Sequence, residues 1–90
     1  MEKKFSIITV VLNDKEGLKE TINSLREQSY KNFEYIVIDG DSTDGTKEII
    51  NKNLDLINKW KSEKDLGIYD AMNKGIELCN GNYIGMLNAG

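Results

Sequence analysis

Apolar positions along the chain fall into short blocks, and the spacing inside them changes from block to block. Residues 5–12, FSIITVVL, are β-branched and apolar without alternation, the pattern of a strand buried on both faces. Leu18, Ile22 and Leu25 then recur at helical spacing and predict an amphipathic helix over 15–28. Asn13, with Glu16 three residues on, has the make-up of a helix cap and its return bond. Residues 29–32, SYKN, read as a turn, and residues 33–39, FEYIVID, predict a second strand centred on Ile36, Val37 and Ile38. A helix over 46–52 buries Ile49 and Ile50, and Leu56, Ile57 and Trp60 mark a weaker third strand. Ile68, Met72, Ile76 and Cys79, with Ala71 and Leu78 beside them, predict a third helix over 68–79. Asn80-Gly81 closes it, since glycine suits a left-handed cap. Residues 82–87, NYIGML, form a fourth strand.

The predicted order is β-α-β-α-β-α-β, which implies an α/β fold: an open parallel β-sheet with right-handed crossovers and helices on its faces. No proline, linker or repeat divides the chain, so residues 1–90 read as a single domain. The basic-then-apolar start, MEKKFSIITVVLND, has too short an apolar run and no small-residue cleavage site for a secretion signal, and reads as a buried strand. No segment reaches the roughly 18–20 apolar residues of a membrane span.

Composition narrows the chemistry. The chain has no histidine, which removes Ser-His-Asp and Cys-His catalysis and imidazole-built zinc sites. Cys79 is the sole cysteine, so no intrachain disulfide forms, and a reducing compartment fits. The net charge of −3, with acids and bases mixed, argues against a nucleic-acid partner held on a broad basic face.

In open parallel sheets, ligands bind beyond the carboxyl ends of the strands. Those ends carry Asn13 and Asp14; then Asp39, Asp41, Ser42 and Asp44; then Ser62, Glu63, Lys64 and Asp65; and last Asn88 and Gly90. Clustered carboxylates repel, so such a rim suits a cation or a ligand that donates hydrogen bonds to it. Mg²⁺ or Mn²⁺ with oxygen ligands and substrate phosphates is the natural occupant. Thr43 and Asp44 read equally as turn and cap residues. Asp39 ends an apolar strand too early to cap the next helix, and with Asp41 it reads as ligand-facing. Neither G-x-G-x-x-G nor G-x-x-x-x-G-K-[ST] is present, so a nicotinamide Rossmann domain and a P-loop enzyme are unsupported.

SIITVVLN, a helix closing near LREQSY, and KNFEYIVIDGDSTDGT together resemble the N-terminal half of family 2 glycosyltransferases with the GT-A fold. SEKDLGIYDAMNKGIELCNGNYIGMLNAG is similar to the branch that builds bacterial polysaccharides and O-antigens. The resemblance implies a Rossmann-like, nucleotide-sugar-binding half of a GT-A fold, without the acceptor-binding half. It places nucleobase recognition on Asp39 and nucleoside packing on the loop from Val10 through Leu12 to Asn13. Leu12 stands where an aromatic is common. Donor contacts fall on Asp41, Lys64, Asp65 and Gly67, with Asp70 and Asn73 on the following helix, and Met72 occupies a position where many members carry arginine. The family's Asp-x-Asp metal motif corresponds to Asn88-Ala89-Gly90, leaving Asn88 as an indirect neighbour of the Mg²⁺ or Mn²⁺ expected for the parent enzyme. The catalytic base is expected beyond Gly90.

The activity so implied is transfer of a sugar, with inversion, from a nucleotide-sugar donor (a UDP-sugar first) to a hydroxyl of a glycan or lipid-linked acceptor. The setting implied is cytoplasmic, peripheral at the inner face of the membrane. The alternative is a non-catalytic α/β fragment that binds nucleotide only, or that forms a homo-oligomer through an exposed strand.

Overall fold

The computed structural model describes residues 5–64 and 66–87. The strands are β1 (Phe5–Val11), β2 (Phe33–Asp39), β3 (Lys59–Ser62) and β4 (Tyr83–Met86), and the helices are α1 (Lys15–Glu27), α2 (Thr46–Lys52) and α3 (Ile68–Leu78). They follow the expected β-α-β-α-β-α-β order. The four strands form one sheet in the order β3-β2-β1-β4, and every pairing is parallel. β1 and β2 pair along their whole length, from Phe5 opposite Phe33 to Val11 opposite Asp39. β3 joins the carboxyl half of β2, and β4 the amino half of β1.

The chain steps outward from β1 to β3, then returns past β1 to β4. With right-handed crossovers, that reversal puts α3 on the face opposite α1 and α2. Alternate strand residues accordingly feed two separate cores. Val11, Phe33, Tyr35 and Val37 pack with Leu18, Ile22 and Leu25 of α1, Ile50 of α2, and Ile57. Ile8, Ile36 and Ile38 pack with Ala71 of α3. β1 and β2 therefore read as continuous apolar runs, because both faces of the sheet are covered. Among the described residues no helix is long and apolar enough to cross a membrane.

Four local expectations are corrected. The cap of α1 is Asp14, whose Oδ1 accepts the Gly17 amide at 3.1 Å, and not Asn13, which has φ +49°. The third strand starts at Lys59, because Ile57 drops into the core under α2 and Asn58 pairs with Tyr35 through its amide and its side chain. α3 meets the sheet through Ala71 and Gly75, while Ile68 and Ile76 are about half exposed. The isoleucines beneath it are bulky, so the small residues face them: a Cβ on Gly75 would lie 2.7 Å from Ile8 Cγ2. Gly81 forms no left-handed cap. α3 ends at Leu78 with Cys79 extended, and a Cβ on Gly81 would strike Ser6 Oγ at 2.6 Å and the Phe5–Ser6 backbone at 2.7 Å.

Candidate functional site

Three loops meet at the carboxyl edge of the sheet, and hydrogen bonds tie the first two together. Asn13 donates its amide to Ser42 Oγ at 2.8 Å, and its Oδ1 accepts the Thr43 amide at 2.8 Å. The positive φ of Asn13 lets backbone and side chain reach the same loop, as asparagine tolerates left-handed conformations. Gly40 donates its amide to the Val11 carbonyl at 3.0 Å.

Asp39 organises this junction from beneath. Its side chain is fully buried. Oδ2 accepts the Ser42 amide at 3.0 Å and the Ser62 hydroxyl at 2.7 Å, and Oδ1 accepts the Ser42 hydroxyl. One carboxylate thus links β2, its following loop and the end of β3, and Ser42 relays the link to Asn13. Buried acids are tolerated when hydrogen bonds replace their lost hydration.

Asp41 points outward with φ +68°, and Lys47 Nζ lies 2.6 Å from its Oδ1. The Lys47 hydrogen bond holds the Asp41 carboxyl below the usual range, with a smaller contribution from Lys64. Asp44 accepts the Thr46 amide at 3.1 Å and the Lys15 amide at 3.0 Å, so it serves the start of both α1 and α2. The Thr46 hydroxyl chiefly, and the Lys15 and Thr46 amides behind it, lower its pKa. Turn and cap chemistry therefore accounts for Asp44. Asp70 reaches back to the Leu66 amide at 3.0 Å and pairs with Lys74 at 3.3 Å; that backbone bond, then Lys74, depresses its pKa.

Beside this network lies a cleft of about 230 Å³, lined by Val10, Val11, Leu12, Gly67, Ile68 and Ala71. It sits between the end of β1 and the start of α3, at the reversal in strand order, where open α/β sheets place their ligands. The fold brings Val10, Leu12 and Gly67 together in this cleft. Asn13 and Asp39 join in the adjoining network, and Asp41 and Lys64 are near enough to influence one another. Asn73 is exposed on α3, away from the cleft lining. Asp65 and Asn88 lie outside the described residues. Sequence reasoning missed Ile68 and Ala71 as lining, although their i, i+3 spacing puts them on one side of α3. It also missed Lys47 as the partner of Asp41.

The arrangement sets an apolar cleft beside a rim of carboxylates, lysines and amides. Among the described residues no group of three or more His, Cys, Asp or Glu side chains converges on a point.

The family model for Glycosyl transferase family 2 matches residues 6–89. An uncharacterised glycosyltransferase of Mycobacterium tuberculosis is 40% identical over 85 residues, covering 93% of this chain and 32% of its own length. The amylovoran biosynthesis glycosyltransferase AmsB of Erwinia amylovora is 37% identical over 90 residues, covering 94% of this chain and 30% of its own. The crystal structure of S. aureus TarS 1-349 in complex with UDP-GlcNAc matches with TM-score 0.84 and 27% identity, covering 96% of this chain and 26% of that one. This chain therefore spans about a third of the length of these relatives. The match to TarS bears out the expected N-terminal part of a GT-A fold.

Proposed function

Because the chain belongs to glycosyl transferase family 2, we propose that it is the donor-binding part of an inverting enzyme that moves a sugar from a nucleoside diphosphate sugar to an acceptor hydroxyl. The products in this reading are bacterial polysaccharide or cell-envelope glycan, the direction in which the amylovoran relative points. A UDP-sugar is the donor to test first, given the UDP-GlcNAc bound to TarS.

The observation that carries the reading is the apolar cleft beside the buried Asp39 network. The base lies flat against Val10, Leu12 and Ala71, and Gly67 leaves room for the donor to pass. Asn13 and Asp39 shape the base-binding end. A carboxylate has about four acceptor sites, and Ser42 and Ser62 occupy three of those on Asp39. The remaining one meets a base N–H after a small outward shift of the loop. Lys64, Asp70 and Asp41 border the diphosphate and sugar in this reading. Mg²⁺ or Mn²⁺, expected for the parent enzyme with Asn88 as an indirect neighbour, would supply charge neutralisation of the leaving diphosphate.

Calorimetric titration with UDP and UDP-GlcNAc, with and without Mn²⁺, tests this. Saturable heat is expected with at least one of them, and none at millimolar ligand would overturn the proposal. A second reading, self-association through β4, is favoured by its position at the sheet edge and by exposed Tyr83, Ile84 and Leu87. Sedimentation equilibrium distinguishes it: a concentration-dependent mass without nucleotide heat is its signature.

A further inference from the structure

At the amino edge of the sheet, on the α3 face, sits a second buried carboxylate. Glu34 on β2 is 6% exposed. Its Oε1 accepts the Ser6 hydroxyl at 2.9 Å and the Asn80 amide at 2.7 Å, and its Oε2 lies 3.7 Å from Lys59 Nζ. Lys59 Nζ in turn donates to the Leu78 carbonyl at 2.6 Å, where α3 ends. Ser6 Oγ accepts the Gly81 amide at 2.8 Å, with Gly81 pressed against the β1 backbone. One carboxylate on β2 thus draws β1, β3, the last turn of α3 and the α3–β4 turn to a common point.

α3 needs such an anchor. Its buried contact with the sheet runs through Ala71 and Gly75, with Leu78 and Cys79 packed partly against the same core, and Ile68 and Ile76 are about half exposed. A shallow contact between small residues and a row of isoleucines specifies the height of the helix well but its sliding and pivoting poorly. Its other end, about 16 Å away for eleven residues, supplies Ile68 and Ala71 to the cleft, with Gly67 just ahead.

We propose that Glu34 is a positioning residue for donor binding: by clamping the carboxyl end of α3 it sets where the amino end stands in the nucleotide cleft. Lys59 and Ser6 are its working partners. The proposal rests on the nucleotide-binding reading above. Without the clamp, α3 samples other placements on the sheet, and the apparent affinity falls by the fraction that remains competent.

The test compares Glu34→Ala, Glu34→Gln and Lys59→Met in the full chain. Glutamine keeps an oxygen for Ser6 and Asn80; alanine keeps none. Expected for Glu34→Ala is a loss of about tenfold in UDP affinity with an unchanged far-ultraviolet spectrum. Faster hydrogen exchange at the Ala71 amide, which bonds to the Gly67 carbonyl, is expected as well. Glu34→Gln should restore both to within about threefold. Exchange that accelerates at residues 80–81 but not at Ala71, or alanine and glutamine variants that behave alike, overturns the proposal. Should Glu34→Ala fail to fold, Lys59→Met decides: a rise in Ala71 exchange supports the clamp and an unchanged rate refutes it. The exchange measurement needs no ligand. A native chain that binds no UDP therefore defeats the nucleotide reading without being mistaken for failure of the clamp.

Discussion

Replacing Asp39 by alanine removes an acceptor that three donors share inside the protein: the Ser42 amide, the Ser42 hydroxyl and the Ser62 hydroxyl. The two hydroxyls can rotate toward new partners. The amide cannot, and at this fully buried position no water replaces the carboxylate without the loop opening. A buried donor left unpaired costs about 1–3 kcal/mol, and a hydrogen bond to a charged group contributes about 1.5–3 kcal/mol net. Allowing for the hydroxyls, Asp39→Ala should cost about 3–4 kcal/mol. Asp39→Asn keeps an oxygen for the amide and should cost about 1–2 kcal/mol. A chain of this size has roughly 5–13 kcal/mol in total, so the alanine variant stays folded but loses a large share of its margin. Urea unfolding followed by circular dichroism measures this. With a slope of about 1.5 kcal/mol per molar, the midpoint of Asp39→Ala should fall by about 2–2.7 M. A shift below about 0.5 M, or an asparagine variant as damaged as alanine, would show that the carboxylate does not hold the loop.

Packing, burial and the cleft rim set three further outcomes. Gly75→Ala brings a methyl group to 2.7 Å from the buried Ile8; overpacking of about 1–3 kcal/mol is set against a helix-propensity gain of about 1 kcal/mol, so a net loss of up to about 2 kcal/mol is expected in thermal or urea unfolding. Burial, only partly offset by the Thr9 hydrogen bond, pushes the Tyr35 hydroxyl from 10.0 up to about 12. The folded state therefore favours the protonated phenol, and its contribution of about 2–3 kcal/mol is complete below pH 10 and lost as pH rises through 12; ultraviolet titration of native chain against Tyr35→Phe should show one late phenol that ionises with unfolding. Leu12→Tyr places an aromatic ring on the cleft rim, where stacking on a base contributes about 1–3 kcal/mol; UDP should bind at least fivefold tighter by calorimetry, and an unchanged affinity would place the base elsewhere.

β1, β2, α1 and α2 were legible because their side chains follow single rules. Ile36, Val37 and Ile38 alternate between two cores, and apolar neighbours on both faces give the short continuous apolar run of a strand buried on both sides. Leu18, Ile22 and Leu25 are spaced for one helix face and bury there. α3 was read by its large residues, whereas the sheet beneath it already carried the bulk, so Ala71 and Gly75 faced inward. Nothing local to the helix announces what the opposing surface holds. The same limit hid the partners of Asp39 and Glu34: Ser62 is 23 residues from the first and Asn80 is 46 from the second. The acid at the end of β2 could be seen; the donors that occupy it could not.

The register of β1 sets a timetable for synthesis. Phe5 pairs with Phe33 on one side and with Tyr83 on the other, so β1 gains its second neighbour only once Tyr83 has been made. Until then the edge of β1 that will meet β4 stays open on the nascent chain, and the Ser6 hydroxyl lacks its Gly81 partner. Pairing across so long a span is slow, since loop closure precedes any reward. Ribosome-bound intermediates of this chain should consequently be most sticky just before Tyr83 emerges, at the edge that β4 will seal.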